Sequence, residues 1–549
     1  MRITLAQLNY HVGNFEKNSK LIIDAISKAE KDQSDLVIFS ELSLTGYPPH
    51  DLLEHRDFIG KCYKYLDLIA AECKNIAAIV GAPAINKSRS GKKLYNAAYL
   101  LAEGKIKDSV FKSLLPTYDI FDEYRYFEPA TKPKVISLKG KKLAVTICED
   151  LWDEQSFEND FTSSRMYKIS PMDELAKQNP DIIINLSASP YAHNKTESKR
   201  EIFIRKAARH KLPVFMVNQV GANTDLIFEG NSIVVGPGGN IIDIFPSFKE
   251  HIASYDLHEV INNTKVFKIE TKRIEMIHSA LVTGLKDYFE KMNFRSAVLG
   301  LSGGIDSAVC LCLAVSALGP SRVRALLLPS MYSSQHSVDD AVLLSNNLGV
   351  EYEIINIEKA YRAIEESLSG IMKGMPMDIT EENIQARLRS LMLMAVSNKF
   401  GNILLNTSNK SEAGVGYGTL YGDMAGSISV LGDVYKTDIY RLAELINKQR
   451  QLIPENIITK APSAELSPGQ KDSDSLPDYE ILDSILYQYI ELQKSGSDIK
   501  GPNINPDLVN KIINLINKNE FKRFQAPPIL RISSKAFGIG RRMPLVGIY

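Results

Sequence analysis

The sequence predicts an α/β protein of two domains, a layered one over residues 1–262 and a doubly wound parallel sheet over 275–549. Three observations carry this. At 549 residues the chain exceeds the roughly 250–300 residues over which a single core grows. Short β-branched runs alternate with amphipathic helical stretches almost throughout. A more polar stretch, 260-VINNTKVFKIETKR-273, separates two such series and is read as the linker region, set at 263–274.

In the first series, residues 3–9 (ITLAQLN) read as a strand and 15–31 as a helix with Ile22, Ile26 and Ala29 on one face. Strands 36-LVIF-39, 76-IAAIVGAP-83, 143-LAVTIC-148, 182-IIINLSA-188 and 214-VFMVNQV-220 follow. The piece 95-YNAAYLLAEGKIKDSVFK-112 reads as a hairpin. Strands that feed helices, mixed with hairpins, give a layered α/β domain. The second series opens on the helix 274-IEMIHSALVTGLKDYFEKM-292. Its strands are 296-SAVLGL-301, 323-VRALLLP-329, 352-YEIINI-357 and 403-ILLNT-407, with helices between. That is the rhythm of a parallel sheet. Residues 460–478, rich in Pro, Ser, Asp and Lys, read either as a surface loop or as a lid over a polar ligand.

Composition excludes some functions. Lys plus Arg and Asp plus Glu both number 65, for a net charge of zero, whereas a general nucleic-acid binder carries a basic excess. The five cysteines, Cys62, Cys73, Cys148, Cys310 and Cys312, form no C-x-x-C pair and no zinc spacing. A sparse, odd set suits a reducing compartment, so a cytoplasmic location is expected. The start, MRITLAQLNYHVG, carries Gln7 and Asn9 where a signal peptide needs an apolar core. No apolar run approaches the ~18 residues of a membrane span.

Two stretches carry chemistry. In 299-LGLSGGIDSAVC-310 a strand hands over to Ser302-Gly303-Gly304-Ile305-Asp306-Ser307, with a helix expected to start near Ser307. Glycines let backbone N–H groups approach a ligand, and a helix start adds unpaired donors, so a phosphate or pyrophosphate fits. No lysine follows the second glycine, so this is not the G-x-x-x-x-G-K-[ST] loop. The other stretch is 143-LAVTICEDLW-152, where Cys148 stands at a strand exit. Glu41 lies just past 36-LVIF-39, and Lys112 ends 109-SVFK-112. Strand ends often project into one crevice, so a base, a cation and a thiol can meet there. The cation is expected to lower the thiol pKa. The carboxylate takes the thiol proton and later activates water, and the lysine steadies an oxyanion. The other four cysteines read as buried apolar residues.

The loop S-G-G-x-D-S resembles that of the N-type ATP pyrophosphatases, which split ATP into AMP and pyrophosphate while adenylating an acid or amide. The segments 382-ENIQARLR-389, 405-LNTSNKSEAGVGYGTLYGDMAG-426, 432-GDVYKTDIYRLA-443, 461-APSAELSPGQKDSD-474 and 522-KRFQAPPILRISSKAFGIGRRMP-544 are similar to those of bacterial NAD synthetases, in order over nearly all of 275–549. The resemblance implies a Rossmann-like ATP pyrophosphatase domain. It implies ATP contacts from Gly300, Leu301, Ser302, Gly303, Gly304, Ile305, Asp306, Ser307 and Thr407. It implies Mg2+ on Asp306 and Glu412, and deamido-NAD contacts from Asn383, Glu412, Tyr417, Gly418, Thr419, Leu420 and Lys522.

The set Glu41, Lys112 and Cys148 resembles the nitrilase superfamily, which implies an αββα sandwich over about 1–260. The subtype is similar to the glutaminase domain of the glutamine-dependent NAD synthetases, which implies glutamine contacts from Tyr118, Ser189 and Lys195. Glu123 and Glu128 both stand open as a second carboxylate. Together the resemblances imply that one half releases ammonia from glutamine and the other uses ATP to adenylate deamido-NAD, which ammonia converts to NAD. They also imply an internal ammonia channel and a homo-oligomer through at least a synthetase-domain dimer, with neither nucleic acid nor membrane as a partner. A tRNA-modifying pyrophosphatase fused to an amidase fits the zero charge and the missing cysteine pair less well. A catalytically dead scaffold fits poorly with candidates present for every role.

Overall fold

The computed structural model describes residues 1–154, 165–263, 272–470, 472–474 and 476–547. The chain divides into two compact units, Met1–Thr271 and Lys272–Tyr549. Of the expected linker, residues 264–271 lie outside the described residues.

The first unit holds β1 (Arg2–Gln7), β2 (Leu36–Ile38), β3 (Ala77–Ile85), β4 (Leu94–Ala102), β5 (Lys105–Phe111), β6 (Ile136–Leu138) and β7 (Lys141–Ile147). After these come β8 (Ile182–Ser187), β9 (Val214–Asn218), β10 (Val220–Asn223), β11 (Leu226–Glu229), β12 (Ile233–Val235), β13 (Ile241–Ile244) and β14 (His251–Asp256). They form two six-stranded sheets, β14-β1-β2-β3-β4-β5 and β13-β12-β9-β8-β7-β6, and a small pair, β10-β11. The period-two alternation of each strand explains the layering. Ile3, Leu5, Leu36, Ile38 and Ile79 of one sheet meet Leu143, Val145, Ile147, Ile182 and Ile184 of the other. The alternate residues, such as Val37, Ala78 and Leu101, pack beneath the helices Phe15–Lys31 and Arg56–Glu72. Ala144 and Ile183 pack beneath Pro171–Ala176 and Thr196–His210. The result is the αββα sandwich. Its central strands read as near-continuous apolar runs because both faces are covered.

β1, β2 and β3 are mutually parallel, and β5 regains their direction through the β3-β4-β5 meander. β7, β8 and β9 are also parallel. The loops after β2, β5, β7 and β8 converge at one end. Gly81 in β3 sets how closely the first of these approaches. A Cβ there would lie 2.4 Å from Leu42 N and 2.6 Å from Ser40 O.

The second unit is built on β15 (Ser296–Gly300), β16 (Val323–Leu327), β17 (Glu351–Ile354), β18 (Asn402–Asn406) and β19 (Ile428–Ser429). Every pairing is parallel, in the order β17-β16-β15-β18-β19. The order reverses between β15 and β18, and such a switch point is where ligands settle in open α/β sheets. The helix Ile305–Leu318 is apolar nearly all round and buried accordingly. The helices Arg273–Lys291 and Lys436–Asn447 pack on it.

Three boundaries differ from the sequence reading. The helix after the glycine loop begins at Ile305, so Asp306 and Ser307 sit in its first turn. Lys112 falls just past β5 rather than inside it. The helix that opens the second unit starts at Arg273. The edge strand β14 and the helix Leu257–Asn262 escape a sequence reading because the strand HIASYD is half-exposed and weakly alternating.

Candidate active sites

In the first unit the sequence-predicted trio is brought together and buried. Glu41 and Lys112 are each 1 % exposed and Cys148 is 6 % exposed. Lys112 Nζ donates to Glu41 Oε1 at 2.7 Å and to both oxygens of Glu123 at 2.8 Å. Glu41 also accepts from Asn96 Nδ2 at 2.7 Å and from the Ala188 N–H, just past β8, at 3.1 Å. Of Glu123 and Glu128, left open by the sequence, Glu123 is the one bonded to Lys112. Glu128 instead caps the backbone N–H of Lys92 at 2.7 Å, while Glu123 also accepts from Tyr47 OH at 2.9 Å.

Cys148 opens a short 3-10 turn, Cys148–Leu151, with φ of 42°. A left-handed non-glycine residue costs energy and persists where surroundings hold it, often at active sites. The turn lifts the thiol off the strand axis. Burial pushes that thiol well above the usual cysteine pKa, and Glu41 adds to the push. Lys112 lowers it as the sequence suggests, but does not win. Burial also opposes the charge on Lys112, yet Glu123 and Glu41 hold its pKa well above the usual lysine value. The resting arrangement is therefore a neutral thiol beside an ammonium shared by two acidic side chains.

Of the three predicted glutamine contacts, two, Tyr118 and Ser189, are tied to residues of this center. Tyr118 OH donates at 2.9 Å to Glu149, the neighbor of Cys148, and Tyr167 OH does the same. Burial raises the Glu149 pKa against the pull of Lys112 and both tyrosines. Ser189 follows Ala188 and donates its N–H to Asn218 Oδ1 at 2.9 Å. Lys195 is exposed at the start of the helix Thr196–His210.

In the second unit the glycine loop and Thr407 line one cavity of about 280 Å3 at the switch point. Ser302 and Ser307 stitch the loop: Ser302 N–H donates to Ser307 Oγ at 3.3 Å and Gly304 N–H to Ser302 Oγ at 3.2 Å. Asp306 and Glu412 both face Lys436, a buried lysine the sequence reading missed. Lys436 Nζ pairs with Asp306 Oδ2 and lies 3.8 Å from Glu412 Oε1. Asn409 joins the same group. Its Nδ2 donates to Asp306 Oδ1 at 2.8 Å, and its Oδ1 caps Glu412 N–H at 2.9 Å. Burial, with the charge of Asp306, pushes the Glu412 carboxyl up to about 8 even against Lys436.

Burial is the first cause of that rise, and the two carboxyl groups face a single ammonium. A hard divalent cation shared with phosphate oxygens suits such a pair, so these residues fit Mg2+. Among the described residues no group of three or more His, Cys, Asp or Glu gathers as a self-sufficient metal site.

The predicted deamido-NAD contacts form a connected group. Thr419 Oγ1 donates to Asn383 Oδ1 at 2.7 Å, and Lys522 Nζ to the carbonyls of Gly416 and Gly418 at 2.8 Å. Arg387 Nε reaches the Leu420 carbonyl at 3.2 Å. Tyr417 and Glu412 line the cavity itself. So do Lys460 to Leu466, from the segment read as a loop or lid. Glu465 accepts from Ser337 Oγ at 2.6 Å and from Ser334 N–H at 3.1 Å, and Lys460 Nζ donates to Ser337 Oγ at 2.9 Å.

Comparison with known proteins decides the family. Residues 277–526 match the family described as NAD synthase, and residues 2–157 the one described as carbon-nitrogen hydrolase. A glutamine-dependent NAD(+) synthetase of Synechocystis sp. is 42% identical, with 99% of this chain and 98% of the relative covered. The chain belongs to the glutamine-dependent NAD(+) synthetases. The Thermotoga maritima member is 39% identical over 99% of this chain and 98% of its own. The solved synthetase of Acinetobacter baumannii, in complex with ADP, is 37% identical with a TM-score of 0.76, covering 99% of this chain and 98% of that one. The synthetase of Cytophaga hutchinsonii shares the fold, with a TM-score of 0.84 at 20% identity over 100% and 98% of the two chains.

As a glutamine-dependent NAD(+) synthetase, the enzyme has a glutaminase domain of the carbon-nitrogen hydrolase type and an NAD synthase domain; ATP and glutamine are the family's substrates. Sequence reading of this synthetase missed Lys436, Asn409 and Arg389, whose Nε donates to the Leu328 carbonyl at 2.9 Å beside the cavity. Lys436 had a signal, since it opens a helix within 432-GDVYKTDIYRLA-443, but a charged residue there reads equally as solvated surface. Among the described residues no helix is long and apolar enough to cross a membrane.

Proposed function

We propose that Cys148 is the glutaminase nucleophile, Glu41 its base and Lys112 the cation that steadies the oxyanion. The observation that carries this reading is the convergence of all three, buried, at the ends of strands from two sheets. Cys148 Sγ attacks the amide carbon of glutamine as its proton passes to Glu41. The tetrahedral oxyanion forms beside Lys112. The C–N bond breaks, ammonia leaves with the proton from Glu41, and a γ-glutamyl thioester remains. Glu41 then draws a proton from water, which attacks the thioester; the C–S bond breaks, Glu41 returns the proton to Cys148 Sγ, and glutamate is freed. Tyr118, Ser189 and Lys195 hold the rest of the glutamine, and Glu123 holds Lys112 from its other side.

In the second unit, the glycine loop from Gly300 to Ser307, with Thr407, takes the ATP phosphates. Asn383, Tyr417 to Leu420 and Lys522 orient deamido-NAD. Its nicotinate carboxylate attacks the α-phosphorus, pyrophosphate leaves, and ammonia displaces AMP from the acyl adenylate to give NAD. Asp306 and Glu412 would hold Mg2+, which when bound neutralizes charge on the phosphates. Lys436 orients both carboxylates.

The proposed assembly pairs second units. Leu391 and Met394, one turn apart on the helix Ile379–Phe400, are 65% and 38% exposed, an apolar spot that suits a copy of itself. A cytoplasmic location suits five cysteines that are all free thiols.

The test is Cys148→Ala in the full chain. Glutamine-supported NAD synthesis is lost and ammonium-supported synthesis persists; glutamine use that survives the substitution sinks the reading. Adding 15N-amide glutamine against unlabeled ammonium reads the ammonia hand-over, because dilution of the label to the bulk ratio excludes a channel.

A further inference from the structure

Asp150 lies two residues beyond Cys148 and is 3 % exposed. Its Oδ2 accepts from the Ile147 N–H at 3.0 Å, immediately before the nucleophile. Its Oδ1 accepts from the Ser113 and Leu114 N–H groups at 2.9 Å each, immediately after Lys112. One carboxylate therefore clasps the Cys148 turn of one sheet to the Lys112 loop of the other. The remaining backbone groups of Lys112 point elsewhere: its N–H donates to Asn96 O at 2.9 Å, and its carbonyl accepts from Ala130 N–H at 2.9 Å.

We infer that Asp150 is a positioning residue for glutamine hydrolysis, fixing the separation between the Cys148 thiol and the Lys112 ammonium; the inference rests on the reading of Cys148 as nucleophile. Three features support it. An ionized carboxylate is acceptor-only, with two oxygens to meet three N–H donors, and charge-assisted bonds of this kind are the strong ones. Cys148 holds a left-handed backbone, which persists only when its surroundings over-determine it. The clasp closes on Ile147, the residue that feeds that turn. Burial raises the Asp150 carboxyl to about 6, with the Ile147 and Leu114 N–H bonds holding it down, so it is mainly ionized at neutral pH.

Asparagine cannot replace it. An amide has one acceptor oxygen, so at least one of the three N–H groups must face an NH2 group. The groups around the thiol are Glu41, Lys112, Glu123 and Glu149, all in place in such a variant, and what changes is the spacing of Cys148 and Lys112. A misplacement of about 1 Å costs on the order of 100-fold in rate.

The experiment uses the full-length enzyme with Asp150→Asn and, as a smaller side chain whose hydroxyl still accepts one bond, Asp150→Ser. Steady-state rates are measured with glutamine and with ammonium as nitrogen donor, alongside thermal melting followed by circular dichroism. The expected result is a fall of about 100-fold in kcat with glutamine, with KM for glutamine and the ammonium-supported rate unchanged. A kcat with glutamine that falls less than about tenfold overturns the inference. So does a parallel loss of both donors with lowered melting, or failure of both variants to fold, since either makes Asp150 merely structural. Cys148→Ala, run in parallel, separates the two ideas. If that variant still uses glutamine, the reading of the nucleophile fails whatever Asp150 does.

Discussion

Lys112 Nζ lies 2.7 Å from Glu41 Oε1 across 71 residues of sequence, and both side chains are shut off from solvent. With Glu123 on its other side, the lysine compensates two buried carboxylates. Removing one partner of a buried ion cluster is far more damaging than the cluster is stabilizing. Lys112→Met is expected to cost about 3–5 kcal/mol of stability in the first unit and to abolish glutamine-supported synthesis. Chemical denaturation with both donors assayed in parallel checks it, and wild-type stability in the variant rejects the ion cluster.

Gly81 is expected to tolerate no side chain. Its missing Cβ leaves room for the backbone of Ser40 to Leu42, and Glu41 rides on that backbone. Gly81→Ala overpacks against main chain, at about 1–3 kcal/mol, and pushes Glu41 off Lys112. Glutamine hydrolysis falls while ammonium-supported synthesis holds. A variant with normal glutaminase rate shows that the loop can yield.

Cys148 is expected to alkylate late on a pH scale. Only the thiolate reacts, and burial with Glu41 raises the pH at which it forms. The iodoacetamide rate at Cys148, read by peptide mass spectrometry, climbs above the midpoint of about 8.5 typical of a free cysteine. A plateau already reached at neutral pH contradicts the neutral thiol.

Asp306→Asn keeps the shape of the first helical turn and removes charge facing Lys436. Synthesis is expected to fall with either nitrogen donor, with a steeper demand for Mg2+. Glutamine hydrolysis without ATP continues. Full synthesis at limiting Mg2+ argues against Asp306 as a metal ligand.

The segment carrying Lys460 and Glu465 is expected to be cut by protease more slowly with ATP and deamido-NAD than in free enzyme, because its residues line the cavity. Water exclusion protects a hydrolysable adenylate. Equal cleavage with and without ligands removes the segment from any closing role.

The sandwich and the parallel sheet are legible because their strands are short, apolar and β-branched, and because strands covered on both faces stand out as near-continuous apolar runs. Glu41, Lys112 and Cys148 were legible as polar residues where such strands stop. Glu123 is not separable from Glu128 by sequence, since the helix Glu123–Tyr126 is a single turn, too short to show periodicity, and the bond from Lys112 is what distinguishes them. Lys436 and Asn409 escaped because their role depends on a meeting with Asp306 across 130 and 103 residues. Asp150 escaped because its partners are backbone N–H groups, which every residue but proline offers and no sequence pattern announces.

Gly303 sits in the middle of the glycine loop with φ of 76°, and a Cβ on it would fall 2.2 Å from Ser337 O. Its bare α-carbon faces the helix Gln335–Leu348, and Gly303 is not among the residues that line the cavity. A Gly303→Ala enzyme that loses synthesis therefore reports a collision behind the loop, and its failure says nothing about phosphate recognition. Mutational scans of this loop need Ser302, Gly304 and Asp306 to weigh ligand contacts, and they gain from Gly303 only a measure of how tightly loop and helix are pressed together.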